Sequence, residues 1–170
     1  MAPVVRRTWA PRGQTPILKQ VGRSHKKVSV IAALTLAPRR RRMGLYFSMY
    51  AQANVTGSRV VRFLRHLRRH IQKPLVLVWD RSGTHKAGVV NRYFKEHGGW
   101  TAAFFPAYAP ELNPVEALWA YLKTNPLANW APPNLETLGT MARYHTTKLR
   151  RRPELLRSFL EATPLFLSSK

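Results

Sequence analysis

Acidic residues are scarce in this sequence, and they are unevenly placed. Only seven of its 170 residues are Asp or Glu, against 29 Lys and Arg, which gives a formal net charge of +22. Asp80 is the only aspartate, and residues 1–79 contain no carboxylate side chain. A site built from several carboxylates must therefore draw them from Asp80 and the residues that follow it. So large a positive charge favours polyanionic partners, and nucleic acid is the first expectation among them.

Cysteine is absent, which excludes disulfides, thiolate zinc sites and a cysteine nucleophile. No apolar run approaches the roughly 20 residues that span a bilayer, and the first residues lack the apolar segment of a signal peptide. A soluble protein of the cytoplasm, without membrane contact, is therefore expected. A length of 170 residues suits one domain with a core, and five Trp and seven Phe argue against a simple basic tail; a basic ribosomal-type protein is the alternative.

Hydrophobic periodicity predicts an α/β order of elements. Residues 28–36 and 45–52 predict the two strands of a hairpin. Apolar positions at helical spacing follow Ser58, a candidate N-cap, and this helix is expected to end at Pro74. The continuous apolar run Leu75–Trp79 is typical of a buried central or parallel strand. The later segments predict a helix over 86–96, a strand over 101–105, a turn and helix over 110–125, and helices over 135–149 and 153–160. A hairpin followed by βαβ units is the resulting layout.

Two carboxylates stand in positions that suggest metal-dependent chemistry. Asp80 directly follows the run Leu75–Trp79, at the carboxyl end of a predicted strand, where α/β folds place ligands. Glu116 lies on a predicted helix, and 35 residues separate it from Asp80. Carboxylates bind Mg²⁺ or Mn²⁺, and two such ions stabilise the attacking and leaving oxygens when a phosphodiester is cleaved. The alternative for Asp80 alone is that it caps the helix that follows it.

The residues around both carboxylates resemble a known family. Residues 75–85 read Leu-Val-Leu-Val-Trp-Asp-Arg-Ser-Gly-Thr-His, and the stretch over 105–123 contains Pro-Glu-Leu-Asn-Pro-Val-Glu-Ala-Leu-Trp. These segments are similar to the second and third carboxylate motifs of mariner-type DDE transposases, in their bacterial insertion-sequence branch. The resemblance implies a ribonuclease H-like α/β fold, with a mixed sheet flanked by helices. It also implies a carboxylate triad that binds two Mg²⁺ or Mn²⁺ ions, with Asp80 and Glu116 as its second and third members.

The resemblance further implies that part of the family's domain is missing from this chain. Residues 6–16 are similar to the segment that follows the first catalytic strand, so that strand, its Asp and the helix-turn-helix region would precede them. We therefore expect residues 1–170 to form a single DDE catalytic domain that is incomplete at its N-terminus. Such a chain is expected to be inactive alone in DNA cleavage and strand transfer. A non-catalytic DNA-binding fragment that modulates transposition is the alternative, and a distinct ribonuclease H-like nuclease is a third reading.

Basic residues supply the candidate DNA contacts. The helix predicted after Ser58 carries an arginine stripe opposite its apolar face, and either a solvated surface or a phosphate-binding one would produce it. The stripe residues assigned to DNA are Arg59, Arg62, Arg65 and Arg69. His85 is a further candidate, as a phosphate contact or a catalytic auxiliary, although a structural hydrogen bond at a helix start would also explain it. Phosphate contacts position DNA without reading its sequence. A homodimer that pairs transposon ends is implied by the resemblance alone.

Overall fold

The computed structural model describes residues 5–14, 17, 27–37 and 42–164. Residues 1–4, 15–16, 18–26, 38–41 and 165–170 lie outside that description. Four strands and five α-helices are present in the described part, together with one 3₁₀ turn at Pro110–Leu112. The strands are β1 (Val28–Ala37), β2 (Arg42–Ala51), β3 (Leu75–Trp79) and β4 (Trp100–Phe104). The helices are α1 (Gly57–His70), α2 (Gly88–Glu96), α3 (Pro114–Thr124), α4 (Leu135–Leu149) and α5 (Pro153–Glu161).

The four strands form two separate sheets. β1 and β2 are an antiparallel pair in which Val28 faces Ala51 and Ala37 faces Arg42. β3 and β4 are a parallel pair, with Leu75 opposite Trp100 and Trp79 opposite Phe104. Helix α2 connects the parallel strands, as a βαβ crossover requires. Across the described residues, no ladder joins the two sheets.

Helix α1 unites the two sheets through one hydrophobic cluster. Its buried face, which includes Leu64 and Leu67, packs against the Trp79 and Trp100 rings of the parallel sheet. The same cluster includes Ile31 and Ala33 of β1, so one helix covers strands of both sheets. Side chains of a strand alternate between its faces. The opposite face of the hairpin, with Met43 and Leu45, accordingly packs against α3 and α5 in a second cluster.

The sequence located most elements well, but β2 begins at Arg42, three residues before the expected start at 45, and three further details differ. Helix α1 is capped by Thr56, whose hydroxyl accepts from Arg59 N–H, so Ser58 is not the N-cap. The helix ends at His70, well before Pro74, because Ile71 already has an extended backbone. The run Leu75–Trp79 was expected to be a buried strand, but Val76 and Val78 of β3 are 66% and 47% exposed. This strand pairs only with β4, and its second face is uncovered within the described structure.

Arg68 belongs to the basic face of α1 by sequence, yet its guanidinium binds inside the protein. Its terminal nitrogens donate to the carbonyl oxygens of His97 and Gly98, both at 3.2 Å. Its Nε donates to the Tyr93 hydroxyl at 3.1 Å, and the group lies 4.6 Å from the Trp100 ring centroid. Arg68 therefore fastens α1 to the turn between α2 and β4.

We expect Arg68→Ala to destabilise the protein by about 2 kcal/mol, because charge-assisted hydrogen bonds and a cation–π contact are lost together. Arg69→Ala is the matched control, since Arg69 is the next residue on the same helix and is exposed. It is expected to change the free energy of unfolding by less than about 0.5 kcal/mol. Urea denaturation followed by circular dichroism measures both values. Equal destabilisation by the two variants would contradict the structural role of Arg68.

Candidate functional site

Asp80 lies where the parallel sheet ends. Its Oδ1 accepts a hydrogen bond from Ser82 N–H at 2.9 Å, which closes a turn directly after β3. Helix α2 begins only at Gly88, after Ala87, so Asp80 does not cap it. The side chain of Asp80 remains 54% exposed. The carboxylate is therefore held by a turn and open to a ligand.

His85 is the second partner of the Asp80 carboxylate. Its Nδ1 lies 2.7 Å from Asp80 Oδ1, and its ring stacks on Trp79 with centroids 4.5 Å apart and planes 6° from parallel. An aromatic stack and a hydrogen bond together fix the orientation of the imidazole. With Nδ1 engaged by a carboxylate, Nδ1 carries the proton and donates it. His85 thus orients Asp80, while the predicted contact between His85 and a DNA phosphate stays a prediction.

Glu116 is placed by the start of helix α3. Asn113 caps this helix by accepting from Val115 N–H at 3.1 Å, and Pro114 occupies the first helical position, as proline often does. Glu116 therefore falls in the first turn, where the positive end of the helix dipole favours a carboxylate. Leu118 and Leu122 of the same helix are completely buried. Their packing holds the helix, and therefore its first turn, in position.

One cleft brings the two carboxylates together. Its volume is about 460 Å³, and both Asp80 and Glu116 line it. The remaining wall comes from the turn after β3, the segment between β4 and α3, and Lys86. The lining includes two cations, Arg81 and Lys86, and two large aromatic residues, Phe105 and Tyr108. Sequence reasoning missed Arg81, Lys86 and Tyr108, although Arg81 adjoins Asp80 and Tyr108 stands inside the motif that precedes Glu116.

The donors in this cleft suit a hard cation. Asp80, Glu116 and the Asn113 amide offer oxygen atoms, which Mg²⁺ and Mn²⁺ prefer over nitrogen or sulfur ligands. Within the described ranges, no group of three or more His, Cys, Asp or Glu side chains is arranged to hold a metal ion. The residues present fit a divalent metal in kind, and two of them, Asp80 and Glu116, are carboxylates.

The arginine stripe is only partly free for DNA. Arg62, Arg65 and Arg69 are exposed along α1. Arg59 is half-buried, donates to the Asn54 carbonyl and lies 4.8 Å from the Tyr50 ring centroid. On the same face, desolvation, His70 and Arg69 together lower the pKa of His66, which favours its neutral imidazole. The arginines are the permanent positive charges of this helix face.

Comparison with protein families identifies the chain. A family model described as "DDE superfamily endonuclease" matches residues 1–139. The chain belongs to the DDE superfamily of endonucleases. No curated protein matches its sequence.

Solved structures with a similar fold are complexes of the Mos1 transposase. A Mos1 strand transfer complex has a TM-score of 0.55 and 16% identity, with 98% of this chain and 52% of that chain covered. A Mos1 paired-end complex with the left transposon end has a TM-score of 0.56 and 17% identity over 95% and 51% of the two chains. A Mos1 paired-end complex with Mn scores 0.55 at 16% identity over 98% and 53%. This DDE chain thus spans about half the length of the transposase chains it matches, and it shares their mixed α/β fold.

No helix in the described part of this DDE chain is both long and apolar enough to cross a membrane.

Proposed function

We propose that this chain is the catalytic part of a transposase that cleaves DNA and transfers strands during the transposition of a bacterial insertion sequence. The observation that carries the proposal is the shared cleft of Asp80 and Glu116. Two distant sequence motifs, each centred on a carboxylate, meet there in a chain of the DDE endonuclease family. A cytoplasmic, nucleoid-associated setting and assembly with a second copy at paired DNA ends are parts of the same proposal.

Asp80 and Glu116 are proposed to hold Mg²⁺ or Mn²⁺, two ions in the complete site. Bound there, such ions would neutralise the charge that develops on the scissile phosphate. The protein supplies rigidity: Ser82 N–H and His85 fix Oδ1 of Asp80, and the Asn113 cap fixes the helix turn that carries Glu116. Arg81 and Lys86, at the same cleft, offer positive charge to the DNA backbone.

A further strand between β1 and β3 is proposed to complete the sheet. Residues of both β1 and β3 pack in the hydrophobic cluster of α1, yet no hydrogen-bond ladder joins the described strands of the two sheets. A cavity of about 620 Å³ is lined both by the start of β1, at Val28, and by Ser82 and Thr84 just after β3. A strand in that position, parallel to β3, would join the two two-stranded sheets into one mixed sheet of the ribonuclease H type. It would also cover part of the exposed surface of β3.

The proposed strand explains why this chain is expected to be inactive alone. A strand parallel to β3 has its carboxyl end beside that of β3, and therefore beside Asp80. A carboxylate at that end would complete the metal site, and residues 1–79 contain no Asp or Glu to provide it. We propose that residues 1–170 form one catalytic domain that lacks this element.

Incubation of the purified chain with Mn²⁺ and supercoiled plasmid tests the proposal. We expect DNA binding that weakens as salt rises, without nicking above the background of an Asp80→Ala control. Robust Mn²⁺-dependent nicking that Asp80→Ala abolishes would establish the endonuclease function and refute the inactivity of the chain alone. Failure to bind DNA at any salt concentration would refute the proposed function itself.

A non-catalytic role in binding DNA is the second candidate. The exposed arginines of α1 favour it, because they can neutralise phosphates without any metal site. Such a fragment would occupy transposon DNA, or associate with complete transposase, and dampen transposition. Mobility-shift assays on matched and unrelated duplexes would support this role if the affinities are equal and nicking is absent. Mn²⁺-dependent nicking would exclude it as the sole function.

A further inference from the structure

Tyr108 has an unusual backbone for an aromatic residue. Its φ is +57°, in the left-handed region that non-glycine residues seldom occupy. Among the described residues, Gln52 and Asn129 share this property. Asparagine tolerates that backbone comparatively well, and the Asn129 side chain accepts a hydrogen bond from Arg6 N–H. Tyrosine does not favour the left-handed backbone, so the conformation of Tyr108 is imposed by the segment around it.

The side chain of Tyr108 is fully exposed, so hydrophobic burial does not explain its position. Large aromatic side chains usually contribute through the apolar area they remove from water. Tyr108 removes none, although it stands at the wall of the cleft that contains Asp80 and Glu116. Strained backbone positions that persist in proteins concentrate at functional sites. The strain and the exposure are independent observations that indicate a ligand-binding role.

The segment that carries Tyr108 is anchored at both ends. At its start, Phe105 is buried, its N–H donates to the Trp79 carbonyl at 2.8 Å, and its own carbonyl accepts from Arg81 Nε at 3.1 Å. At its end, the 3₁₀ turn is closed by Leu112 N–H, which donates to the Ala109 carbonyl at 3.2 Å. A ring presented by so short and fixed a segment loses little conformational freedom when it binds a flat partner.

We propose that Tyr108 is a stacking platform for one unpaired nucleotide of the DNA strand that enters the cleft, an inference that rests on the proposed function. The ring offers an open π-face, and every nucleobase offers another. Arg81 and Lys86 line the same cleft and offer positive charge to the phosphates near that base. Bases inside a duplex have both faces covered, so the partner is a nucleotide at a strand end, in a single strand, or turned out of the helix.

Photocrosslinking and affinity measurements on the whole chain test this role. The probe is a single-stranded oligonucleotide with 5-iodouracil at successive positions, because iodouracil crosslinks efficiently to an aromatic ring stacked on it. Mass spectrometry is expected to map the crosslink to Tyr108. Tyr108→Asn removes the ring but suits the left-handed backbone, and we expect it to weaken binding by about tenfold. Tyr108→Phe retains the ring and is expected to bind within about twofold of wild type.

Tyr144→Asn is the matched control, because Tyr144 is an exposed tyrosine on α4 that does not line the cleft. It is expected to leave the affinity unchanged, and thermal melting confirms that each variant is folded. Single-stranded binding that Tyr108→Asn leaves unaltered, with crosslinks elsewhere, would overturn the stacking role and leave the proposed function standing. Binding to duplex but not to single strands would overturn it as well. Absence of binding to any DNA would instead overturn the proposed function on which this inference rests.

Discussion

Mn²⁺ affinity is expected to fall by at least about tenfold when Asp80 is replaced by Asn, and by a similar factor in Glu116→Gln. Loss of a group that merely supports a metal ligand already costs roughly 10- to 100-fold in affinity, and these two carboxylates are the proposed ligands themselves. Asn preserves the acceptor that receives Ser82 N–H, so the turn after β3 is retained while one charge is lost. The signal of free Mn²⁺ in electron paramagnetic resonance measures the change directly.

Glu111→Gln is the matched control for both variants. Glu111 lies on the 3₁₀ turn just before α3 and is exposed, but it does not line the cleft. The substitution removes the same charge from the same region, so it corrects for long-range electrostatics in a protein of net charge +22. We expect its Mn²⁺ affinity to equal that of wild type. If all three variants lose affinity alike, Mn²⁺ responds to overall charge and the cleft is not the metal site.

The proposed metal site and the elements that carry it were predictable from the sequence to different degrees. Asp80 and Glu116 stand out because each adjoins an element with a clear local signal. Asp80 follows a five-residue apolar run that predicts a strand, and Glu116 follows an Asn-Pro pair that predicts a helix start. Local chemistry of this kind decides where strands and helices begin and end. The helix over 135–149 was therefore predicted at the bounds observed for α4.

The environment of β3 could not be predicted from its own residues. The run Leu75–Trp79 is as apolar as a strand covered on both faces, yet Val76 and Val78 are substantially exposed in the described structure. An apolar composition indicates that a strand is buried. Which strands and helices cover it is decided by tertiary packing, which its own residues do not show. This mismatch is one reason to propose a strand beside β3.

The contacts of Arg68 and His85 and the backbone of Tyr108 likewise could not be predicted from local sequence. Arg68 looks like any other arginine of a basic helix face, and only the fold brings His97 and Gly98 against it. His85 orients Asp80 because the chain turns back at Ser82, and this turn places the His85 ring on Trp79. The left-handed backbone of Tyr108 carries no sequence mark, since tyrosine is not a residue that this conformation favours. Long-range contacts and backbone strain are properties of the folded chain.

The exposed arginines of α1 are expected to dominate the electrostatic part of DNA binding. A triple variant of Arg62, Arg65 and Arg69 to Gln removes three of the proposed phosphate contacts. Each contact contributes about 0.9 to the slope of log affinity against log salt, so the slope is expected to shrink by about 2.7. If the variant and wild type bind alike at 1 M salt, this slope change corresponds to a loss of affinity of about 500-fold at 0.1 M salt. Arg59 is left in place because it bonds the Asn54 carbonyl and supports the fold.

A second triple variant separates local contacts from overall charge. Arg150, Arg151 and Arg152 form an exposed basic turn between α4 and α5, so replacing them by Gln removes the same total charge from a different surface. Fluorescence anisotropy of a labelled duplex, measured from 50 mM to 300 mM salt (about the range in which such slopes are resolved), compares both variants with wild type. We expect the turn variant to retain most of the wild-type slope. Equal slopes in the two variants would show that DNA responds to the total charge of the protein and that α1 is a solvated face. A loss confined to the α1 variant would assign the DNA backbone to this helix, which also underlies the Asp80 strand.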